Sequence, residues 1–337
     1  MHSILKRAAG AAIILAGFSQ APAAAEDCKP LTRLASVDLV PGADKRQEFV
    51  PVTLAGKDKL MLLDTGGVYA MISPSAAQEL GLEGNTGNVE LFDVAGRKSD
   101  LYAAASFALG RLKMDRMPFA ITDGAKVSDD PRIAGILGPD LFKHYELDID
   151  FGANKLSVFS QDHCEGKVIY WPATAVAVVP MRVYGSGHII VPVQLDGKEV
   201  LATLDTGAWN TTLTQRIAES QYGLKMGSAD TPQSGALEGR AASHTYSHVF
   251  ASLTFEGITV NHPHVEIIPD MTHDLLANTP PDTGTRLRPV EAKEFDSSML
   301  IGMNILRHFH IFISYKENKL YVTPADAPAA PPSAPTQ

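Results

Sequence analysis

The sequence predicts a mainly β protein made of two related halves that pack about a pseudo-two-fold axis. Two observations carry that prediction. The chain aligns with itself, and its apolar stretches are short, β-branched or alternating segments bounded by Gly, Asp or Asn.

Sliding the chain by 141 positions lays "VPVTLAGKDKLMLLDTG" (50–66) on "VPVQLDGKEVLATLDTG" (191–207), with 11 of 17 positions identical. The match continues more weakly, with "AMISPSAAQELGL" over "TTLTQRIAESQYGL". A second block matches at a shift of 164, where "ILGPDLFKHYELDIDFGANKLSV" (136–158) covers "LIGMNILRHFHIFISYKENKLYV" (300–322). The two shifts differ by 23 residues, so the second repeat carries an insertion of that size around 270–298.

Taken in chain order, Lys6 and Arg7 precede an apolar run from Ala8 to Phe18, and "APAAA" offers an Ala-x-Ala cleavage site ending at Ala25. Residues 1–25 read as a secretory signal peptide, too short to span a bilayer. The mature chain is expected to be exported, with the periplasm the best-fitting compartment and secretion beyond it the alternative. Losing Lys6 and Arg7 moves the formal charge from −9 to −11, which argues against nucleic acid or anionic membrane as a partner. No later segment is apolar for long enough to cross a membrane. The two cysteines, Cys28 and Cys164, can bridge in an oxidising compartment or stay as two unpaired thiols.

Within the first repeat, "EFVPVTLAG", "KLMLLD", "FALGRL", "LDIDFG" and "KLSVF" read as strands. "SPSAAQELGL" reads as a short helix, with Ser73 as its cap and Pro74 at its first position. "GPDLFKHY" and "GMNILRHF" read as matching short helices. The halves are expected at 26–165 and 166–323, followed by a disordered Pro/Ala-rich tail at 324–337.

Asp-Thr-Gly occurs three times, at Asp64, Asp205 and Asp282. Asp282 lies in the Pro-rich insertion with no apolar strand before it, and reads as turn sequence. Asp64 and Asp205 each end an apolar strand, where an unpaired buried charge is expensive. Duplication offers a solution: the two carboxyls face each other and share one proton, which makes the pair an acid and a base at once. Gly66 and Gly207 permit the close approach that such a pair needs. Thr65 and Thr206 can hydrogen-bond across the axis to the opposite loop. Apolar-apolar-Gly, ending at Gly138 and at Gly302, supplies a strand beside each Asp loop.

These paired motifs, each with its downstream Gly block, resemble the pepsin and retropepsin aspartic proteases, most of all bacterial, exported members with both lobes on one chain. The resemblance covers most of 35–323. It implies two β-barrel-like lobes with the active site between them, Asp64 and Asp205 as catalytic residues, and Thr65 and Thr206 as the cross-axis grip. Gly66, Gly207, Gly138 and Gly302 support the loops. The implied activity is that of an endopeptidase, in which a water held between the aspartates attacks the peptide bond without cofactor or metal. The implied partner is a peptide or protein substrate in extended conformation, and a monomer is expected because both lobes lie on one chain. Gly67 and Ala208 stand where pepsins usually have Ser or Thr, which predicts a working pH above pepsin's. The family also closes β-hairpin flaps over substrate. The candidates are 89–104 with Gly96 and Tyr102, and 232–247 with Gly239 and Tyr246, with packing the plainer role for each tyrosine. The alternative reading is a non-catalytic peptide-binding protein on the same bilobal fold.

Eleven histidines raise the question of a metal, but His262, His264, His308 and His310 lack a Cys or carboxylate in ligand spacing, and no metal is expected. His144 and His308 occupy equivalent positions and are expected to share a structural contact. Trp171 and Trp209 read as core, with Trp209 close enough to the second Asp loop to line a substrate pocket. "GRLKMDR" reads as a solvated strand face.

Overall fold

Each half begins with a tight hairpin. Strands Glu48–Leu54 and Lys57–Leu63 pair antiparallel, as do Ile189–Leu195 and Lys198–Leu204. The two-residue connections, Ala55-Gly56 and Asp196-Gly197, all have positive φ, the turn geometry whose twist matches the flanking strands. This computed structural model describes residues 28–92, 98–185, 187–237, 240–270 and 297–325.

The second strand of each hairpin then pairs in parallel with the strand that ends in the Gly block. Leu63 lies opposite Leu137 of Ile133–Leu137, and Leu204 lies opposite Ile301 of Met299–Ile301. The segment after each Asp-Thr-Gly returns on the other side of that strand: Met71–Ile72 pairs antiparallel with it in the first half, and Thr212–Thr214 in the second. The chain therefore threads each Asp loop between two strands of one sheet. Gly138 and Gly302 are required by this threading. A Cβ on Gly138 would lie 2.6 Å from the Tyr69 backbone, and one on Gly302 would lie 2.6 Å from the Asn210 carbonyl.

Among the described residues, the first half builds an eight-stranded sheet and the second a ten-stranded one. A third sheet of six strands is shared between them, in the order Arg33–Asp38, Lys155–Phe159, Glu146–Asp150, Phe309–Ser314, Lys319–Pro324, Ala177–Pro180. Its centre is the pairing of Ile149 with Ile311 and of Leu147 with Ile313, so the repeats meet strand to strand. A continuous apolar core runs from Val50, Leu63 and Phe119 in one lobe through Leu147 and Ile311 to Val191, Leu204 and Ile267 in the other. On the shared sheet, His310 bonds Asp148, which also accepts from the Tyr170 hydroxyl, and Trp171 stacks on the His310 ring at 3.8 Å.

Helix Pro74–Glu79 forms as expected, with the Ser73 hydroxyl accepting from Ala76 N–H at 3.1 Å, and the matching short helices are Pro139–Phe142 and Met303–Leu306. "FALGRL" is not one strand. Lys98–Leu109 ends before a turn at Gly110-Arg111 and Leu112–Ile121 follows, because Gly110 adopts a positive φ of 55°. The rings of His144 and His308 are exposed, so what they share is the turn after each short helix rather than a side-chain contact. Arg111, Lys113 and Arg116 are exposed on their strand and turn. Residues 1–27, most of the insertion (271–296) with Asp282, and the tail from 326 lie outside the described residues. Among the described residues no helix is long and apolar enough to cross a membrane.

Cys28 and Cys164 are joined in a disulfide across 136 residues of sequence, tying the start of the described chain to the end of the first half. Closing a loop of that length restricts the unfolded chain by at most about 5 kcal/mol. Replacing both cysteines by serine is expected to lower unfolding stability by about 2–5 kcal/mol, seen as an earlier urea midpoint with an unchanged native spectrum. An unmoved midpoint would remove the bridge from the list of stabilising elements.

Candidate active site

Asp64 and Asp205 follow directly on Lys57–Leu63 and Lys198–Leu204, and their backbone N–H groups continue the ladder to Leu137 O at 3.1 Å and Ile301 O at 3.0 Å. Each carboxylate is held by the turn it begins. Asp64 Oδ1 accepts from Gly66 N–H at 2.9 Å and Gly67 N–H at 2.8 Å, and Asp205 Oδ1 accepts from Gly207 N–H at 2.8 Å and Ala208 N–H at 3.1 Å.

The loops interlock through their threonines. Thr65 Oγ1 donates to Leu204 O at 2.8 Å and accepts from Thr206 N–H at 3.1 Å. Thr206 Oγ1 donates to Leu63 O at 2.8 Å and accepts from Thr65 N–H at 3.1 Å. Both threonines are fully buried, so every polar group in this exchange has found its partner in the other lobe. The glycines close the approach: a Cβ on Gly66 would stand 2.2 Å from Asp205 Cγ, and one on Gly207 would stand 2.5 Å from Asp64 Cγ. Each carboxyl therefore sits over the glycine of the opposite loop.

The two carboxyls are surrounded by protein yet only half-buried by solvent contact, as expected at the floor of a cleft. Burial pushes the Asp64 carboxyl above its ordinary value, and the charge on Asp205 pushes it further, against the N–H groups of Gly66 and Gly67. Burial also raises Asp205, opposed by the N–H groups of Gly207 and Ala208, by the bond to Asp64 and by nearby His188. Burial thus acts on both acids in the same direction, toward the protonated form.

Further residues support the loops that the sequence motifs did not single out. Asp140 accepts from Ala70 N–H at 2.8 Å and Leu141 N–H at 2.9 Å, bracing the strand after the first Asp loop. In the second half Asn304 does the same work, accepting from Thr211 N–H at 3.0 Å and from its hydroxyl at 2.6 Å. Asp140 and Asn304 fall in register at the shift of 164, a signal present in the alignment. Buried His188 places its Nε2 2.8 Å from the Gly66 carbonyl, and Trp209, half-buried, lies under the guanidinium groups of Arg46 and Arg307 at 5.6 and 5.7 Å from its ring centre. Among the described residues no group of three or more His, Cys, Asp or Glu is placed to hold a metal.

Antiparallel strand pairs occupy both stretches where hairpins were expected. Asn85–Phe92 pairs with Lys98–Leu109, and Gln233–Leu237 pairs with Arg240–Val249. Their tips at 93–97 and 238–239, which include Gly96 and Gly239, lie outside the described residues. Tyr102 lies against Gly87 and close to Tyr69 of the first Asp loop. Tyr246 pairs with Ile267 and packs against the core.

Glu48, one residue before the strand position opposite Leu62, is buried with Oε2 lacking a hydrogen-bond partner. Burial pushes its carboxyl up to about 7, while Arg307 from the other half pulls it down. A carboxyl raised in the folded state contributes full stability below its ordinary 4.5, and that contribution is lost as pH rises through about 7. Glu48→Gln is therefore expected to raise the melting temperature over wild type at pH 8 and to lose most of that advantage at pH 4.5, by calorimetry. Equal shifts at both pH values would contradict a buried, titrating Glu48.

Comparison with known proteins gives this geometry a family. The aspartyl protease family matches residues 50–141 and 191–305, the two stretches that carry the Asp loops and their Gly blocks. No curated protein matches the chain by sequence. Among solved structures, the crystal structure of Basic 7S globulin from soybean is similar at a TM-score of 0.46 and 9% identity, covering 87% of this chain and 95% of that one. With the family matched over more than half its length, the chain belongs to the aspartyl proteases, hydrolases acting on peptide bonds.

Proposed function

We propose that this chain is an endopeptidase in which Asp64 and Asp205 share one proton and activate a water held between them. The supporting observation is the crossed packing of the two loops, with each carboxyl over the opposite glycine at a distance that excludes even a methyl group. No purely structural role asks two acids to be buried face to face, because the repulsion is costly unless a proton is shared.

The steps follow from that proton. The ionised carboxylate takes a proton from the water as the water oxygen bonds to the peptide carbonyl carbon. The protonated carboxyl gives its proton to the carbonyl oxygen, and a gem-diol forms. The C–N bond then breaks as the nitrogen takes the proton from the first carboxyl and a diol hydroxyl returns one to the second. The dyad ends as it began, and two products leave: a carboxylic acid and an amine. Peptide lies extended between the lobes under the two hairpins, whose strands offer backbone groups to pair with it. Processing of residues 1–25 would deliver the enzyme to the periplasm, where the Cys28–Cys164 bridge is stable.

Cleavage of an unstructured protein by the chain freed of residues 1–25 tests this directly. Asp64→Asn and Asp205→Asn are each expected to lower the rate at least about 10³-fold, while Asp282→Asn leaves it unchanged. Survival of cleavage in either of the first two variants would end the shared-proton mechanism. A wild type that binds peptide and never cuts it would favour the binding protein instead.

The pH profile of kcat/KM supplies a second check. Both carboxyls are raised above the ordinary 3.8, and no serine or threonine follows either Gly to favour ionisation. The acid limb reports formation of the first carboxylate and the alkaline limb loss of the shared proton, so both limbs are expected above 3.8. Full activity persisting below pH 3 would show carboxyls far more acidic than this burial allows.

A further inference from the structure

The two repeats are not equal where they meet the dyad. At the shift of 141, His188 occupies the position that Gln47 holds in the first repeat. His188 precedes strand Ile189–Leu195, and the pairing of Ile190 with Thr203 carries it alongside Asp205. Its ring crosses to the other lobe and meets the Gly66 carbonyl at 2.8 Å. A carbonyl only accepts, so Nε2 carries the hydrogen and donates. That carbonyl belongs to the peptide unit whose N–H, on Gly67, donates to Asp64 Oδ1 at 2.8 Å. His188, one peptide group and Asp64 thus form a single chain of hydrogen bonds, in which each bond polarises the next.

The turn that presents His188 is itself fixed. Gly187 N–H bonds Tyr184 O at 2.8 Å, and Tyr184 N–H bonds His188 O at 3.0 Å. Gly187 has a φ of 94°, and a Cβ there would stand 2.5 Å from Pro139 Cβ, so the turn lies flat on the helix that follows Gly138. Lys143 Nζ ties down the Gly185 carbonyl at 3.1 Å. The charged and titratable groups on the elements that meet at His188 are Asp205 and Asp64 on the dyad loops, Asp140 and Lys143 on the short helix, and Arg182 and Tyr184 on its own turn. Asp140 is engaged with two backbone N–H groups, and Lys143 with Gly185 O. In the first repeat the corresponding turn is docked by other means, with Arg46 on Trp209 and Glu48 near Arg307.

On the reading of Asp64 and Asp205 as a proton-sharing pair, we propose that His188 is a positioning residue that gives the two aspartates separate roles: Asp205 is the ionised base that takes the proton from water, and Asp64 holds the shared proton. The strand pairing sets His188 beside Asp205, while its hydrogen bond leads toward Asp64 through a peptide group. The direct electrostatic effect of the imidazole therefore falls on Asp205 and favours the ionised form there. Gln47 brings no ionisable group to the mirror-related position. A symmetrical dyad cannot make that distinction, since its carboxyls are equivalent until substrate arrives.

The test uses ¹³C-carboxyl NMR of aspartate-labelled chain from pH 3 to 9, with signals assigned through Asp64→Asn and Asp205→Asn, beside His188→Gln. Wild-type Asp205 is expected to ionise at lower pH than Asp64. His188→Gln, which installs the residue of the other repeat, is expected to move the Asp205 titration up by about half a unit or more. The acid limb of kcat should follow it, with KM within about twofold, a split that loss of packing alone would not produce. An Asp64 that ionises first, or titrations and an acid limb unmoved in His188→Gln, overturns the proposal. The wild-type order decides the matter if that variant fails to fold. Because the titration needs no substrate, a chain that cleaves nothing would defeat the endopeptidase reading while leaving the role of His188 separately decided.

Discussion

The structure turns on the exchange between Thr65 and Thr206. Each hydroxyl donates to a carbonyl of the opposite strand and accepts from the opposite threonine N–H, so four hydrogen bonds are made by two side chains across one axis. Backbone at a strand end normally finds water or a neighbouring strand. Here the hydroxyl and N–H of each threonine are satisfied by the other lobe, and removing one hydroxyl in the assembled site would leave its partners buried and unpaired at a cost of about 1–3 kcal/mol each. The shared six-stranded sheet, with Ile149 against Ile311 at its centre, holds the lobes in the register that the exchange requires.

That constraint explains why small residues crowd the same place. With the loops drawn together, Gly66 and Gly207 lie under the opposing carboxyls, and Gly138 and Gly302 let the returning chain pass. The cost of burying two acids is offset in part by four N–H groups, two on each Oδ1. A frame this tightly specified holds its charges without reorganisation, which is the condition under which fixed dipoles and acids act most strongly on a reacting bond.

Much of this was legible because duplication makes the sequence comment on itself. The 141-residue shift separated Asp64 and Asp205 from Asp282, and the second block located Gly138 and Gly302. Strand identity followed from alternation and from the Gly and Asp boundaries. What escaped was whatever depends on pairing at long range. Nothing in "LDIDFG" or "FHIFIS" states that these strands meet each other, since both are apolar runs with several satisfactory neighbours. The break in "FALGRL" depended on whether Gly110 sits in a strand or turns it, and the pattern permits both. Asp140 and Asn304 were visible in register, but an acid matched to an amide does not look like one role. Their shared task is to accept backbone N–H groups, which a carboxylate and an amide oxygen do alike. His188 and Glu48 were beyond reach by comparison of the repeats, because each faces a residue of another kind.

Those unlike positions bear on why both lobes share a chain. Two identical subunits meeting on a two-fold axis must offer every residue twice, so any histidine placed beside one aspartate is placed beside both. Such a dyad can be made asymmetric only by its substrate. Duplication within one chain keeps the interlocking threonines and glycines, which geometry demands in both halves, and releases the surrounding shell. Here that shell has diverged into His188 on one side and, on the other, Arg46 and Arg307 over Trp209 with Glu48 near Arg307. Pairing alone gives two acids one proton; it takes an unequal setting to say which of them keeps it. The residues that are the same in both repeats build the site, and those that differ are the ones able to assign its parts.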